Sequence, residues 1–269
     1  MLPPVLPLRS APMGRSCVLP RRLRRRTART AAAAALAAGL LAAVPSAPPS
    51  VALAASSEFH GYSIAYQTGD RLTGVRGRFR DFAPSYALDP SDHSDDVNGV
   101  VWIILGSGTS LEIGYTVLAV GAPGSFEAYR YIEINRADGQ QQIIAMDRLG
   151  LITAAHAEVS GVYDTFPADT ASHDYAIVRE KVNPRAWDFY LDNRIVYRYT
   201  TGKVELGKLL ESGIESYHPL ADVFDTFSGL GKQRNGRWSP WTHQDVRVGR
   251  PHLSGFWTGT TAWTATQHA

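Results

Sequence analysis

The chain has 269 residues, with 27 basic and 25 acidic side chains, a formal charge of +2, a single cysteine and 10% aromatic residues. The basicity is local: eight arginines and no acidic residue occupy positions 1–54, so the rest of the chain sets 19 basic against 25 acidic residues and carries −6. No Lys/Arg-dense face remains beyond position 54, which excludes nucleic acid as the partner, since that binding rests on many phosphate contacts.

Positions 1–54 read as a secretory leader. Basic clusters at Arg21-Arg22 and Arg24-Arg25-Arg26 precede the uncharged run Ala31–Val44, and Ala52-Leu53-Ala54 supplies a small-x-small cleavage site. The apolar run is too short and alanine-rich for a membrane anchor. Cleavage is expected after Ala54, by the general export route in preference to the twin-arginine one, which makes the mature protein secreted and free of membrane. Met13 is an alternative start, and the high-GC flavour of the Arg and Ala runs points to a bacterial exporter. Cys17 falls inside the leader, so the mature chain has no disulfide and no thiolate ligand or nucleophile. Residues 55–269 have the length of one domain.

Beyond the leader, short apolar or alternating runs are divided by Gly, Pro, Asn and Asp clusters, the pattern of an all-β protein. The expected strands are Gly74–Phe79, Val100–Leu105, Ser110–Ala119, Phe126–Asn135, Gln142–Arg148, Ala154–Tyr163, Ala171–Lys181, Ala186–Leu191, Asn193–Tyr199, Gly213–His218, Ala221–Asp225 and Leu253–Ala265. So many short strands imply an antiparallel β-sandwich. Asp192-Asn193 is the clearest hairpin turn, because both residues tolerate positive φ. One short helix is expected over Val204–Glu211, where Leu206, Leu209 and Leu210 share a helical face and Gly213 would end it.

Two glutamates on apolar strands stand out. In Ser110-Leu-Glu-Ile-Gly-Tyr115, strand alternation puts Leu111, Ile113 and Tyr115 on one face and Glu112, Gly114 and Thr116 on the other. A glycine beside the carboxylate leaves room for a ligand or another backbone. Glu215 sits in Ser212-Gly-Ile-Glu-Ser-Tyr217. Tyr129, Tyr131, Glu133 and Asn135 form a stripe on one strand face, opposite Ile132 and Ile134; it suits the floor of a peptide or sugar groove or a partly solvated outer face, and Glu133 competes for the role of acid. The eight histidines are scattered, so neither zinc nor any other metal or cofactor is expected. Asp89–Asp96 lacks the glycine and terminal glutamate of an EF-hand and reads as a solvated loop.

Three segments in order resemble the neprosin-like glutamic peptidases and, more remotely, the eqolisins. Val100-Val-Trp-Ile-Ile-Leu-Gly106 through Leu-Glu-Ile-Gly-Tyr115 is similar to the family's apolar strand, loop and Ile-Glu-Val-Gly-Trp strand, with Tyr115 in place of tryptophan. Asp174–Val178 and Asn183–Tyr199 are similar to its paired strands around a Trp-rich hairpin, and Leu209–Glu215 to its helix followed by a Gly-Gly-Glu strand, with Ile214 replacing the second glycine and threatening to crowd the cleft. The resemblance implies a concanavalin-like jelly roll and a cofactor-free endopeptidase acting on peptide or protein. Its catalytic pair would be Glu112 and Glu215, sharing one proton at hydrogen-bond range or through one water. Substrate would be bound by Tyr129, Tyr131, Glu133 and Tyr217. The rival from another class is a non-catalytic glycan- or peptide-binding, lectin-like sandwich, for which the glutamates would lie on opposite faces or behind a cleft filled by Ile214.

Overall fold

The computed structural model describes residues 61–80, 96–119, 126–147, 149–156, 171–216, 223–241, 245–249 and 253–267. The expected leader, Tyr217 and most of the loop 89–96 lie outside them. Among the described residues there are fifteen strands and no helix. They are β1 (Gly61–Arg80), β2 (Asp96–Leu105), β3 (Ser110–Ala119), β4 (Phe126–Asn135), β5 (Gln141–Met146), β6 (Ile152–His156), β7 (Ser172–Arg179) and β8 (Ala186–Leu191). The remainder are β9 (Arg194–Thr200), β10 (Gly207–Ser216), β11 (Val223–Arg234), β12 (Arg237–Pro240), β13 (Asp245–Val248), β14 (Leu253–Gly259) and β15 (Ala262–Gln267). The protein is an all-β, antiparallel sandwich.

Strand β1 belongs to both layers. Its first half pairs β10 and β13, and its second half pairs β11 and β7. The change of partner falls between Thr68 and Leu72, at an irregularity in the β10 register where Arg71 takes a φ of 58°. The front sheet runs β13-β1-β10-β2-β3-β4-β5-β6, and the back sheet carries β14-β15-β11-β1-β7-β8-β9 with β12 on β11.

Alternation on the front strands decides what goes between the layers. Val101, Ile103, Ile113, Val117, Ile132 and Ile134 face inward and meet Tyr175, Ile177, Trp187, Phe189, Phe227 and Leu230 of the back sheet in one buried cluster. Phe79 is central to it, stacked on Tyr175 at 4.3 Å and tilted against Phe227 at 4.9 Å and Tyr115 at 6.0 Å. Tyr115 is fully buried and donates its hydroxyl to Asp225 Oδ2 at 3.4 Å. The outward face of the front sheet is apolar as well. Ile64, Val100, Trp102, Tyr129, Tyr131, Ile143 and Ala145 form a second buried cluster there.

The helix expected over Val204–Glu211 is replaced by a strand. Gly207–Ser216 is held along both edges, by β1 and by β2, and this tertiary pairing overrides the local helical spacing. The leucines split accordingly: Leu210 enters the core between the sheets, while Leu209 is only partly buried. Leu253–Ala265 is a hairpin, β14 to β15, rather than one strand. Asp192 and Asn193, at φ 49° and 63°, make the expected turn between β8 and β9.

Gly114 and Gly213 face each other through Val100 in a single cross-sheet row. A Cβ on Gly114 would fall 2.1 Å from the Gly99 carbonyl oxygen, and one on Gly213 would fall 2.1 Å from the Ser63 carbonyl oxygen. Both glycines therefore answer a close backbone approach. Gly213→Ala is expected to lower unfolding stability by about 1–3 kcal/mol through forced displacement of β1, read as a shift in the urea midpoint at unchanged slope.

Candidate functional site

Register assembles three parallel rows on the outward face of the front sheet. The first runs Tyr66, Glu211, Trp102, Glu112, Glu133, Ile143 across β1, β10, β2, β3, β4 and β5. Two residues along lies Ile64, Gly213, Val100, Gly114, Tyr131, Ala145, and two further lies Tyr62, Glu215, Asn98, Thr116, Tyr129. Glu112, Glu215, Glu133, Tyr129 and Tyr131, widely separated in the chain, share one face. Ile214 points the other way, into the core between the sheets, so the expected crowding does not occur and Gly213 floors the face instead.

Glu112 is a strongly perturbed carboxyl. Its Oε1 accepts hydrogen bonds from Ser110 Oγ at 2.6 Å and Asn135 Nδ2 at 3.1 Å. Burial nevertheless raises its pKa well above the ordinary value, and the charges of Glu133 and then Glu215 push in the same direction. Glu133 is directly opposite on β4, a position that brings Cβ atoms to about 5 Å, so its charge bears directly on Glu112. Glu133 Oε1 also accepts from Gln141 Nε2 at 2.5 Å. The charge of Glu215 reaches Glu112 through space and acts on it less than that of Glu133.

Tyr131 stands in the middle row between the carboxyls. Burial and the charges of Glu112, Glu133 and Glu215 together raise its pKa well above the ordinary phenol value, so it is a permanent O–H donor. Tyr129 meets it edge-on at 6.5 Å. Beside Glu215, Asn98 Oδ1 and Thr116 Oγ1 are buried with no hydrogen-bond partner among the described residues.

Glu211 and its partners were not legible as a functional group in the sequence. Trp102 Nε1 donates to Glu211 Oε2, and Arg247 of β13 brings its guanidinium to 3.2 Å from Oε1 while lying 5.1 Å over the Tyr66 ring. Burial raises the Glu211 pKa against the opposing influence of Arg247 and Trp102, with Glu215 adding to the rise. The only sequence signal was its period-two spacing from Gly213 and Glu215, and the expected helix concealed it. Among the described residues no group of three or more His, Cys, Asp and Glu side chains is arranged to hold a metal ion.

No protein-family model and no curated protein matches this chain. Solved structures do resemble its fold. Scytalido-glutamic peptidase with a peptide-based transition-state analogue is 12% identical, with 77% of this chain and 98% of that one covered and a TM-score of 0.48. SCP-B, a member of the eqolisin family in complex with the tripeptide Ala-Ile-His, is also 12% identical over the same shares, with a TM-score of 0.47. The κ-carrageenase from Pseudoalteromonas carrageenovora in complex with an oligotetrasaccharide is 10% identical, with 77% and 64% covered and a TM-score of 0.21. Similarity this distant transfers no activity.

The raised Glu112 pKa has a definite sign for stability. Above the ordinary carboxylate range the unfolded chain ionises this group while the folded chain keeps it protonated, so its stabilising contribution is present at low pH and lost as pH rises through the folded value. Glu112→Gln is therefore expected to flatten the fall in melting temperature between mildly acid and neutral pH, checked by thermal denaturation of both proteins across that range.

Proposed function

We propose that this is an exported hydrolase that cleaves peptide bonds with carboxyl groups alone. The observation that carries the reading is Glu112, kept protonated by burial and by Glu133, on the same sheet face as a second carboxyl, Glu215, across a floor of Gly213, Val100 and Gly114. Two carboxyls with divided protonation are what acid–base attack on an amide requires.

In this reading an extended peptide lies over the glycine row. Glu215 takes a proton from a water whose oxygen bonds to the scissile carbonyl carbon. The oxyanion accepts hydrogen bonds from the protonated Glu112 and from the Tyr131 hydroxyl, which burial and then the field of the carboxylates keep as a donor. Glu112 then protonates the amide nitrogen as the C–N bond breaks, and the proton on Glu215 returns to Glu112 through solvent. Asn98 Oδ1 and the Thr116 hydroxyl, buried in the same row as Glu215, have no hydrogen-bond partner among the described residues and underlie the face. Glu133 acts by holding the proton on Glu112, and Tyr129 packs against Tyr131. Tyr217, which lies outside the described residues, joins the substrate-binding set by its place in the sequence two residues after Glu215. Export is supported by the leader-like composition of the first 54 residues.

Denatured casein digested across acid to neutral pH, with fragments read by mass spectrometry, tests the proposal. Cleavage is expected on the acid side and lost as Glu112 ionises. Glu112→Gln and Glu215→Gln are each expected to reduce kcat/KM by about 10²–10⁴-fold. Full activity in either variant overturns the assignment.

A further inference from the structure

We propose that the outer face of the back sheet holds a second binding site, separate from the carboxyl cluster, that takes an acidic saccharide through Arg76. A cavity of about 500 Å³ lies there, bounded by Arg76, Arg78, Asp174, Tyr190, Gln233 and Trp238. That volume is within the usual range for small-ligand sites. It is on the layer opposite the glutamates, so the peptide site accounts for none of it.

The cavity exists because two strands, β1 and β11, lack side chains where Arg76 and Trp238 must lie. A Cβ on Gly231 would fall 2.7 Å from Arg76 Nε, and one on Gly74 would fall 3.3 Å from the Trp238 ring. Gly231 sits directly beside Arg76 in the β1–β11 register, and Trp238 of β12 pairs with Gln233. The Arg76 side chain thus crosses β11 in a trough and lays its guanidinium 4.7 Å over the Trp238 ring. Gly229, at φ +60°, leaves the mouth open, with no atom within 4 Å of an added Cβ. Cation–π contact fixes the guanidinium while leaving its in-plane N–H donors unused.

The charge pattern selects the ligand. Arg76 is exposed and has no carboxylate partner among the described residues, whereas Arg78 is 3.5 Å from Asp174. A pre-oriented, unpaired guanidinium takes a carboxylate by two parallel hydrogen bonds. Asp174 in the same cavity repels a dense run of anions but accepts hydrogen bonds from hydroxyls, as does the Asn193 amide, while Gln233, whose Oε1 already accepts from Thr73 Oγ1, offers its Nε2. One carboxylate set among hydroxyl donors, beside the Tyr190 ring, is the chemistry of a uronic-acid sugar.

Isothermal titration of the purified full chain with trigalacturonate, neutral galactotriose and an end-capped triglutamate peptide tests this. Trigalacturonate is expected to bind, to bind at least about tenfold more tightly than either other probe, and to weaken with added salt. Arg76→Met removes the guanidinium, and Gly231→Ala keeps it but fills its trough; both are expected to weaken trigalacturonate by about tenfold or more at unchanged melting temperature. Absence of trigalacturonate binding, equal binding of the neutral sugar, equal or tighter binding of the peptide, or indifference to both substitutions overturns the proposal. None of these outcomes depends on peptidase activity.

Discussion

Strand β1 is hydrogen-bonded into both layers, and the rest of the molecule depends on that sharing. Its first half is the edge against which β10 is registered, which places Glu211, Gly213 and Glu215 opposite Tyr66, Ile64 and Tyr62. Its second half carries Phe79 into the core and Arg76 onto the back surface. The irregularity near Arg71 that separates the halves lets one strand serve two sheets without a break in the chain. A slip of one residue anywhere along it would exchange the faces of all these side chains at once.

The front sheet is unusual in being apolar on both sides. Its inward face builds the core with the back sheet, and its outward face surrounds a row of acids with Tyr129, Tyr131, Val100 and Trp102. That enclosure is the source of the chemistry. A carboxyl on a wet strand face would titrate near its ordinary value, whereas Glu112 is desolvated and set directly against Glu133. Proximity of the third acid then matters less than the dryness of the place where all three meet.

Much of this was readable from the residues. The alternation in Ser110–Ala119 and Phe126–Asn135 placed Glu112 with Gly114 and Tyr129 with Tyr131 and Glu133, and the sheet puts both sets on one face. Asp192-Asn193 announced its turn by residue type alone. What escaped was set by long-range pairing. The leucines of Val204–Glu211 have helical spacing, and only the two flanking strands make them extended, which is why Glu211 and its ties to Trp102 and Arg247 were hidden. The first half of β1 lay outside the expected strand Gly74–Phe79, and Gly69-Asp70-Arg71 marks a change of partner within one strand. Ile214 was misjudged by counting it as a cleft residue, when a one-position shift in face sends it inward.

All three acids of the cluster and Glu211 are carried on β10, β2-flanked β3 and β4, strands paired along both edges. Amide exchange in such strands proceeds through global opening, not local fraying. The acidic cluster is consequently as durable as the whole domain. Loss of the cluster's arrangement and loss of the sheet are one event, and the acids have no low-energy way to come apart while the fold survives.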